Sequence, residues 1–260
     1  MADQEIAVGV DQLVELIINA RRVVVFTGAG VSTESGIPDF RSPGGIWSRF
    51  DPDDFTLQKF MSSKESRRKQ WRLMREGHVT EAKPNAAHLA VAEMHRLGKL
   101  DCVITQNIDG LHQKAGVPDD NVFELHGSNK WIKCMACGER YPYAQVKARL
   151  LEGEEIPECK ACGGILKPEV VFFGESLPED ALEQASRHAR HCDLFIVIGS
   201  SLVVYPAAQM PVYAVASGAR LAIINLTPTL MDGQAEVVIN GKAGEVMAEV
   251  ITKLKAKLGG

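Results

Sequence analysis

The stretch VVVFTGAGVS, residues 23–32, decides the fold. Val23-Val24-Val25-Phe26 is continuously apolar and rich in branched side chains, as in a strand covered on both faces. It runs straight into Thr27-Gly28-Ala29-Gly30-Val31-Ser32. Glycines at the end of a first strand let the backbone approach a pyrophosphate, which the start of a following helix helps neutralise. The Gly-x-Gly-x-x-Gly template fails at its sixth position, Thr33. Gly36 and Pro38 then rule out a clean long helix. No second strand ends in an acidic residue about twenty positions on, where a dehydrogenase grips ribose. On these residues alone, a tight strand-to-helix turn explains the glycines equally well. A dinucleotide held here would be held in an altered way.

Similar apolar runs recur at 102–105 (CVIT), 194–198 (LFIVI), 221–224 (LAII) and 237–239 (VVI), with helical patterns at 11–21, 84–97, 181–191 and 244–258. The alternation implies an α/β fold: a doubly wound, Rossmann-like parallel sheet that binds ligands at the carboxyl ends of its strands. Two stretches interrupt it, a polar helix-prone insert at 44–77 and a cysteine-bearing segment at 130–167. The main domain is therefore expected to be discontinuous, over 1–43, 78–129 and 168–260.

The second interruption holds Cys134-x-x-Cys137 and Cys159-x-x-Cys162, with 21 residues between the pairs. A Cys-x-x-Cys turn lets two thiolates converge on one ion, and a second pair closes a tetrahedral zinc site. Two redox dithiols or two disulfides fit less well, because redox motifs do not normally come as matched pairs. Four thiolates leave no open position for water, so one structural Zn2+ is expected. Cys102 and Cys192 sit beside apolar runs and read as small core residues.

Composition removes several classes. A net charge of −4 gives no basic footprint for nucleic acid or an anionic membrane. Residues 1–9, MADQEIAVG, lack the basic and apolar regions of a secretory leader, and no apolar run approaches the roughly 18 residues of a membrane span. Cysteines kept for metal suit a reducing, cytoplasmic setting.

Polar groups gather at successive strand ends: Thr105-Gln106-Asn107-Ile108-Asp109, His126-Gly127-Ser128 after VFEL, Gly199-Ser200-Ser201, and Asn225. Singly, each reads equally as a turn former or cap. His126 is the best placed of the seven histidines, since imidazole suits general-base work near neutral pH. His88, in a helical pattern, and His112, in a short loop, read as structural. His188 and His191 read as solvated residues at a helix end.

Together these motifs resemble the sirtuins of prokaryotic type, the NAD-dependent protein-lysine deacylases. The run from Gly28 to Ser42 resembles their cofactor loop, and Thr105-Gln106-Asn107-Ile108-Asp109 and Glu124-Leu125-His126-Gly127 their second and third signatures. The cysteine order and Gly199-Ser200-Ser201-Leu202 follow the same pattern, so the resemblance spans roughly residues 10–255.

The resemblance implies a site. Gly28, Ala29, Gly30, Ser32, Thr33, Asp39, Phe40 and Arg41 would line the cofactor loop, with Arg41 near phosphate. Gln106, Asn107, Ile108 and Asp109 would form the ribose and nicotinamide pocket. Gly199, Ser200 and Ser201 would meet phosphate and ribose, Asn225 and Leu226 the adenosine ribose, and Lys242 and Ala243 the adenine. His126 would be the base. Val170, Val171, Phe172, Phe173, Gly174 and Glu175, with Val203 and Val204, would clamp an acetylated peptide as an added strand. NAD would be consumed as a co-substrate, giving nicotinamide, free lysine and O-acetyl-ADP-ribose. Relatives that prefer acidic acyl groups carry a tyrosine and an arginine three apart in the insert. This chain has Trp71 and Met74 there, which favours uncharged acyl groups.

A mono-ADP-ribosyltransferase on the same scaffold is the nearest rival. A zinc-ribbon nucleic-acid binder is the second, though residues 130–167 hold seven Lys/Arg against five Asp/Glu, which is not a basic stripe. No nucleic-acid or membrane partner is expected, and a monomer is favoured.

Overall fold

The computed structural model describes residues 2–77 and 81–259. In chain order it holds α1 (Ala2–Asn19), β1 (Val23–Thr27), α2 (Leu57–Ser62), α3 (Lys64–Glu76), α4 (Ala86–Arg96) and β2 (Cys102–Thr105). Next come α5 (Leu111–Ala115), β3 (Val122–Glu124), β4 (Gly127–Cys134), β5 (Arg140–Pro142), α6 (Tyr143–Leu151) and β6 (Leu166–Val170). The chain closes with α7 (Glu179–His191), β7 (Leu194–Ile198), α8 (Gln209–Ala216), β8 (Arg220–Ile224), β9 (Val237–Ile239) and α9 (Ala243–Leu258).

The doubly wound sheet expected from the apolar runs is present, with six parallel strands in the order β3-β2-β1-β7-β8-β9. Strand periodicity explains why the runs are apolar throughout: alternate residues enter opposite cores. Val23 and Val25 join Leu194, Ile196 and Ile198 under α1, α4 and α9. Val24 and Phe26 join Phe195 and Val197 under α7 and α8. Truncating one fully buried member, such as Leu13 of α1, would cost about 2–5 kcal/mol.

The first helix begins earlier than the sequence pattern suggests, because Ile6 and Val10 extend its apolar stripe. It ends at Asn19, and Asp193 Oδ2 takes the N–H groups of Arg21 and Arg22 at 2.9 and 2.8 Å as the chain turns into β1. Asn85, not Pro84, caps α4, accepting from the N–H groups of Ala87 and His88.

A separate antiparallel sheet, β5-β4-β6, carries the cysteine pairs. Its small core of Ile132, Cys134, Tyr141, Val146, Leu150, Cys159 and Leu166 is completed by Trp71, contributed by α3 of the insert. Buried Asp54 ties the insert together, at 2.9 Å from both Lys59 and Lys69. Residues 78–80, at the expected border between insert and main domain, lie outside the described residues. Among the described residues, no helix is long and apolar enough to cross a membrane.

Candidate active site

Strand order fixes where a ligand can sit. From β1 the chain winds outward one way to β2 and β3, and from β7 the other way to β8 and β9, so the β1/β7 boundary is a topological switch point. The turns after these strands pack backbone against backbone. Gly30 N–H donates to Gly199 O at 2.9 Å, and a Cβ on Gly30 would lie 2.8 Å from Gly199 Cα. Gly199 itself has φ 64°, so neither position tolerates a side chain. A short 3-10 helix, Ala29–Ser35, follows and stops at left-handed Gly36. This is the altered cofactor turn that Thr33 and Pro38 imply.

A buried polar network lies beneath the turn. Asn107 Nδ2 donates to Ser32 Oγ at 3.1 Å, and Ser32 Oγ donates to Asp109 Oδ2 at 2.8 Å. His88 Nε2 lies 3.4 Å from the same hydroxyl, while Asn85 N–H donates to His88 Nδ1 at 3.3 Å. The same Nδ1 also lies 3.1 Å from Asn85 Oδ1, so either neutral tautomer finds a partner at Asn85. Burial pushes His88 down to about 4, against the opposing pull of Asp109, so the ring is neutral. Below, Thr27 Oγ1 donates to Thr105 Oγ1 at 2.8 Å and lies 3.0 Å from His112 Nε2. His112 lies in helix α5 rather than a loop, and burial pushes its pKa well down.

His126 follows β3 and is partly buried. Its Nδ1 is 2.9 Å from Gln106 O; a carbonyl only accepts, so Nδ1 carries the hydrogen and Nε2 is left basic. Burial pushes its pKa down, opposed by that hydrogen bond. Gln106 Nε2 donates to Ser200 Oγ at 2.7 Å, which joins the turn after β2 to the turn after β7. Arg41 reaches Ser201 Oγ at 3.3 Å. Asp39 spends its carboxylate inside the loop, accepting from Arg41 N, Ser42 N and Ser42 Oγ. Phe40 is exposed and stacks on Trp47 at 5.1 Å, and Thr33 Oγ1 donates to Gly30 O. Ala29 is half-buried, and Ile108 O accepts from Asn129 N.

Other expected residues lie further along the same sheet end. Asn225 follows β8 and donates to Thr227 O, Leu226 is exposed, and Ala243 is buried. Lys242 pairs with Glu245 at 2.8 Å. Glu34 Oε2 accepts Gly244 N–H at 2.6 Å, bringing the start of α9 to the first turn. Among the residues expected to clamp a peptide, Val171 N–H donates to His126 O, and Phe173 exchanges backbone bonds with Phe55 and Leu57. Gly174 and Val203 are exposed, and Val204 O accepts from Ala208 N.

The four Sγ atoms of Cys134, Cys137, Cys159 and Cys162 lie within 4.8 Å of one another. Cys134 to Cys162 is 3.5 Å and Cys137 to Cys159 is 3.7 Å, far beyond a disulfide of about 2.05 Å. Four sulfurs about 2.3 Å from one Zn2+ would stand about 3.8 Å apart, so the set fits zinc. The Tyr141 hydroxyl draws Cys159 down to about 6. Cys162, favoured as thiolate by Gly164 N–H, is still pushed up to about 12 by Cys137 and Cys134. Gly164 has no room for a Cβ, which would sit 2.9 Å from Cys134 Sγ.

The model of the Sir2 family matches residues 28–206. The chain belongs to the Sir2 family. It is 44% identical over 245 residues to an NAD-dependent protein deacetylase of Rhodopseudomonas palustris, covering 94% of this chain and 96% of that one. A structure from work on the mechanism and regulation of Sir2 enzymes superposes with TM-score 0.89 at 42% identity, covering 99% of this chain and all of that one. A Sir2 enzyme solved with a p53 peptide and NAD+ gives TM-score 0.85 at 39% identity, covering 95% and 98%.

Within this Sir2 chain, three groups carry little signal in the sequence. His88 belongs to the support of Ser32 and Asp109; the signal was a histidine three residues after the capping Asn85. Glu34 was available as the only carboxylate in the first turn. His188 is not simply solvated: its Nδ1 lies 2.6 Å from Asp101 and its ring stacks on Phe123. Cys102 and Cys192 are buried, as expected of core residues.

Proposed function

We propose that the chain is an NAD-dependent protein-lysine deacetylase, releasing nicotinamide, free lysine and O-acetyl-ADP-ribose. The observation that carries this reading is the bond from His126 Nδ1–H to Gln106 O, which fixes a neutral imidazole with a basic Nε2 beside the switch-point turn. NAD supplies an anomeric carbon with nicotinamide as its leaving group. Gly28, Ala29, Gly30, Ser32, Thr33, Asp39, Phe40 and Arg41 hold its phosphates and first ribose, and Gly199, Ser200 and Ser201 face them. Gln106, Asn107, Ile108 and Asp109 orient the carboxamide end; Asn225, Leu226, Lys242 and Ala243 hold the adenosine end. His126 takes a proton from a ribose hydroxyl. An amide oxygen is a poor nucleophile, so the chain's main contribution is in-line positioning and exclusion of water.

The peptide lies extended between residues 170–175 and Val203-Val204, bound mostly through its backbone, so sequence preference is loose. The cofactor domain (1–43, 78–129, 168–260), the insert (44–77) and the zinc module (130–167) meet around it. We place the enzyme in the cytoplasm as a monomer. Incubation with NAD and acetyl-lysine peptide, with products identified by mass, tests the reading. Nicotinamide release that requires no acylated peptide, with ADP-ribose left on protein, would replace it with ADP-ribosyl transfer.

A further inference from the structure

Among the described residues Lys167, in β6, is the only buried lysine or arginine. A buried ammonium is costly unless every proton is matched, and an apolar side chain of similar size would fill the space more cheaply. Here the match is complete. Nζ meets Pro168 O at 3.1 Å, Val170 O at 2.6 Å and Glu175 Oε2 at 2.8 Å, and lies 4.5 Å from the centre of the Phe172 ring. Glu175 Oε2 also accepts Phe172 N–H at 2.6 Å. One cation therefore fixes both ends of the 171–175 loop.

The loop is anchored on two further sides. Phe172 packs edge-on against Phe60 of the insert, and Val171 N–H donates to His126 O. Lys167 in turn stands next to Leu166, which pairs with the zinc ligand Cys134 across β4. A continuous path thus runs from the metal knuckle through β4 and β6 to the loop. We infer that Lys167 is a positioning residue for the peptide: through Glu175 it holds residues 171–175 in the shape that receives an extended acyl-lysine chain. This rests on the reading that these residues clamp the peptide. It also gives a metal that does no chemistry a path to substrate affinity.

The test uses the zinc-loaded full chain carrying Lys167→Met, Lys167→Arg or Lys167→Gln. Lys167→Met raises the peptide KM about tenfold or more, while kcat and the NAD KM stay within about threefold. Lys167→Arg, which keeps charge and donors, recovers most of the loss. If Lys167→Met does not fold, Lys167→Gln, which keeps a donor but loses the charge, carries the test, with the same rise in peptide KM expected. An unchanged peptide KM in the folded variant overturns the inference, as does a loss shared equally by NAD and zinc content. A peptide N-methylated beside the acyl-lysine separates the two readings in the unmodified enzyme. If methylation leaves its KM unchanged, strand addition has failed and takes this inference with it. If methylation raises KM but Lys167→Met does not, only the role of Lys167 is lost.

Discussion

The six-stranded sheet and the three-stranded sheet differ in what covers them. Every residue of β1 and β7 is buried, under helices on both faces. In β4 only Ile132 and Cys134 of eight residues are buried, and the largest side chain of that core, Trp71, is borrowed from the insert. The first sheet buries its own apolar surface on both faces; the second buries little of its own and is expected to depend on its metal. The proposed cofactor turns therefore sit on the larger sheet, while one edge of the proposed peptide clamp grows out of the cysteine-bearing sheet. Binding of the two substrates should respond differently to damage.

The largest effect should come from the metal. Chelation, or replacement of Cys137 or Cys162 by alanine, should release zinc, whose binding is worth about 10–16 kcal/mol in comparable sites. Deacetylation should fall to background while the parallel-sheet domain keeps a cooperative melting transition by circular dichroism. A metal-free chain with full turnover and an unaltered melt would erase the contrast between the sheets.

His126→Ala probes the opposite end. Turnover should fall by roughly a hundredfold or more, with Tm and zinc content preserved. Because burial lowers the His126 pKa below 6.5, the base stays neutral into mildly acidic solution. The acidic limb of the rate profile should accordingly lie below pH 6.5. Near-normal turnover of the variant would remove His126 from the mechanism.

A smaller effect concerns the acyl group. Trp71 is buried between insert and zinc module, Met74 packs on the same core, and Arg72 and Arg75 are exposed. None offers a buried cation to a succinyl carboxylate, whose unpaired burial is costly. Acetyl-lysine should exceed succinyl-lysine in kcat/KM by about tenfold, or about 1.4 kcal/mol. Equal efficiencies would mean that one of these arginines reaches the acyl site.

The smallest effect lies in the polar network beneath the cofactor turn. His88 has a folded pKa of about 4 against 6.5 for a free histidine, so the unfolded chain binds the proton more readily between those values. The stability from its neutral form is complete above pH 6.5 and is lost as pH falls towards 4. Tm should decline across that window more steeply than in His88→Gln, and parallel declines would remove His88 as a source.

Much of this could be read from residues in a row. VVVF before Gly28-Ala29-Gly30, LFIVI before Gly199, and the two Cys-x-x-Cys pairs each carry their meaning within a few positions. The zinc set and the doubly wound sheet followed from them. Helix limits were less clear, since α1 extends upstream only because Ile6 and Val10 find a core to enter. His88 reads as an ordinary helical residue because its partner Ser32 lies 56 positions away. Lys167 gave no signal, as nothing in a sequence marks a lysine for burial.

The sequence by itself determined strand order's raw material, the metal's ligands and the place of the turns, because local apolar continuity and short spacing are properties of neighbours. Only the tertiary structure decided which polar groups share protons and which charge is buried. Ser32, His88, Asn107 and Asp109 meet because the crossover from β1 through α4 to β2 returns the chain to one end of the sheet. Desolvation, which lowers His88 and His126, exists only once that packing has removed water.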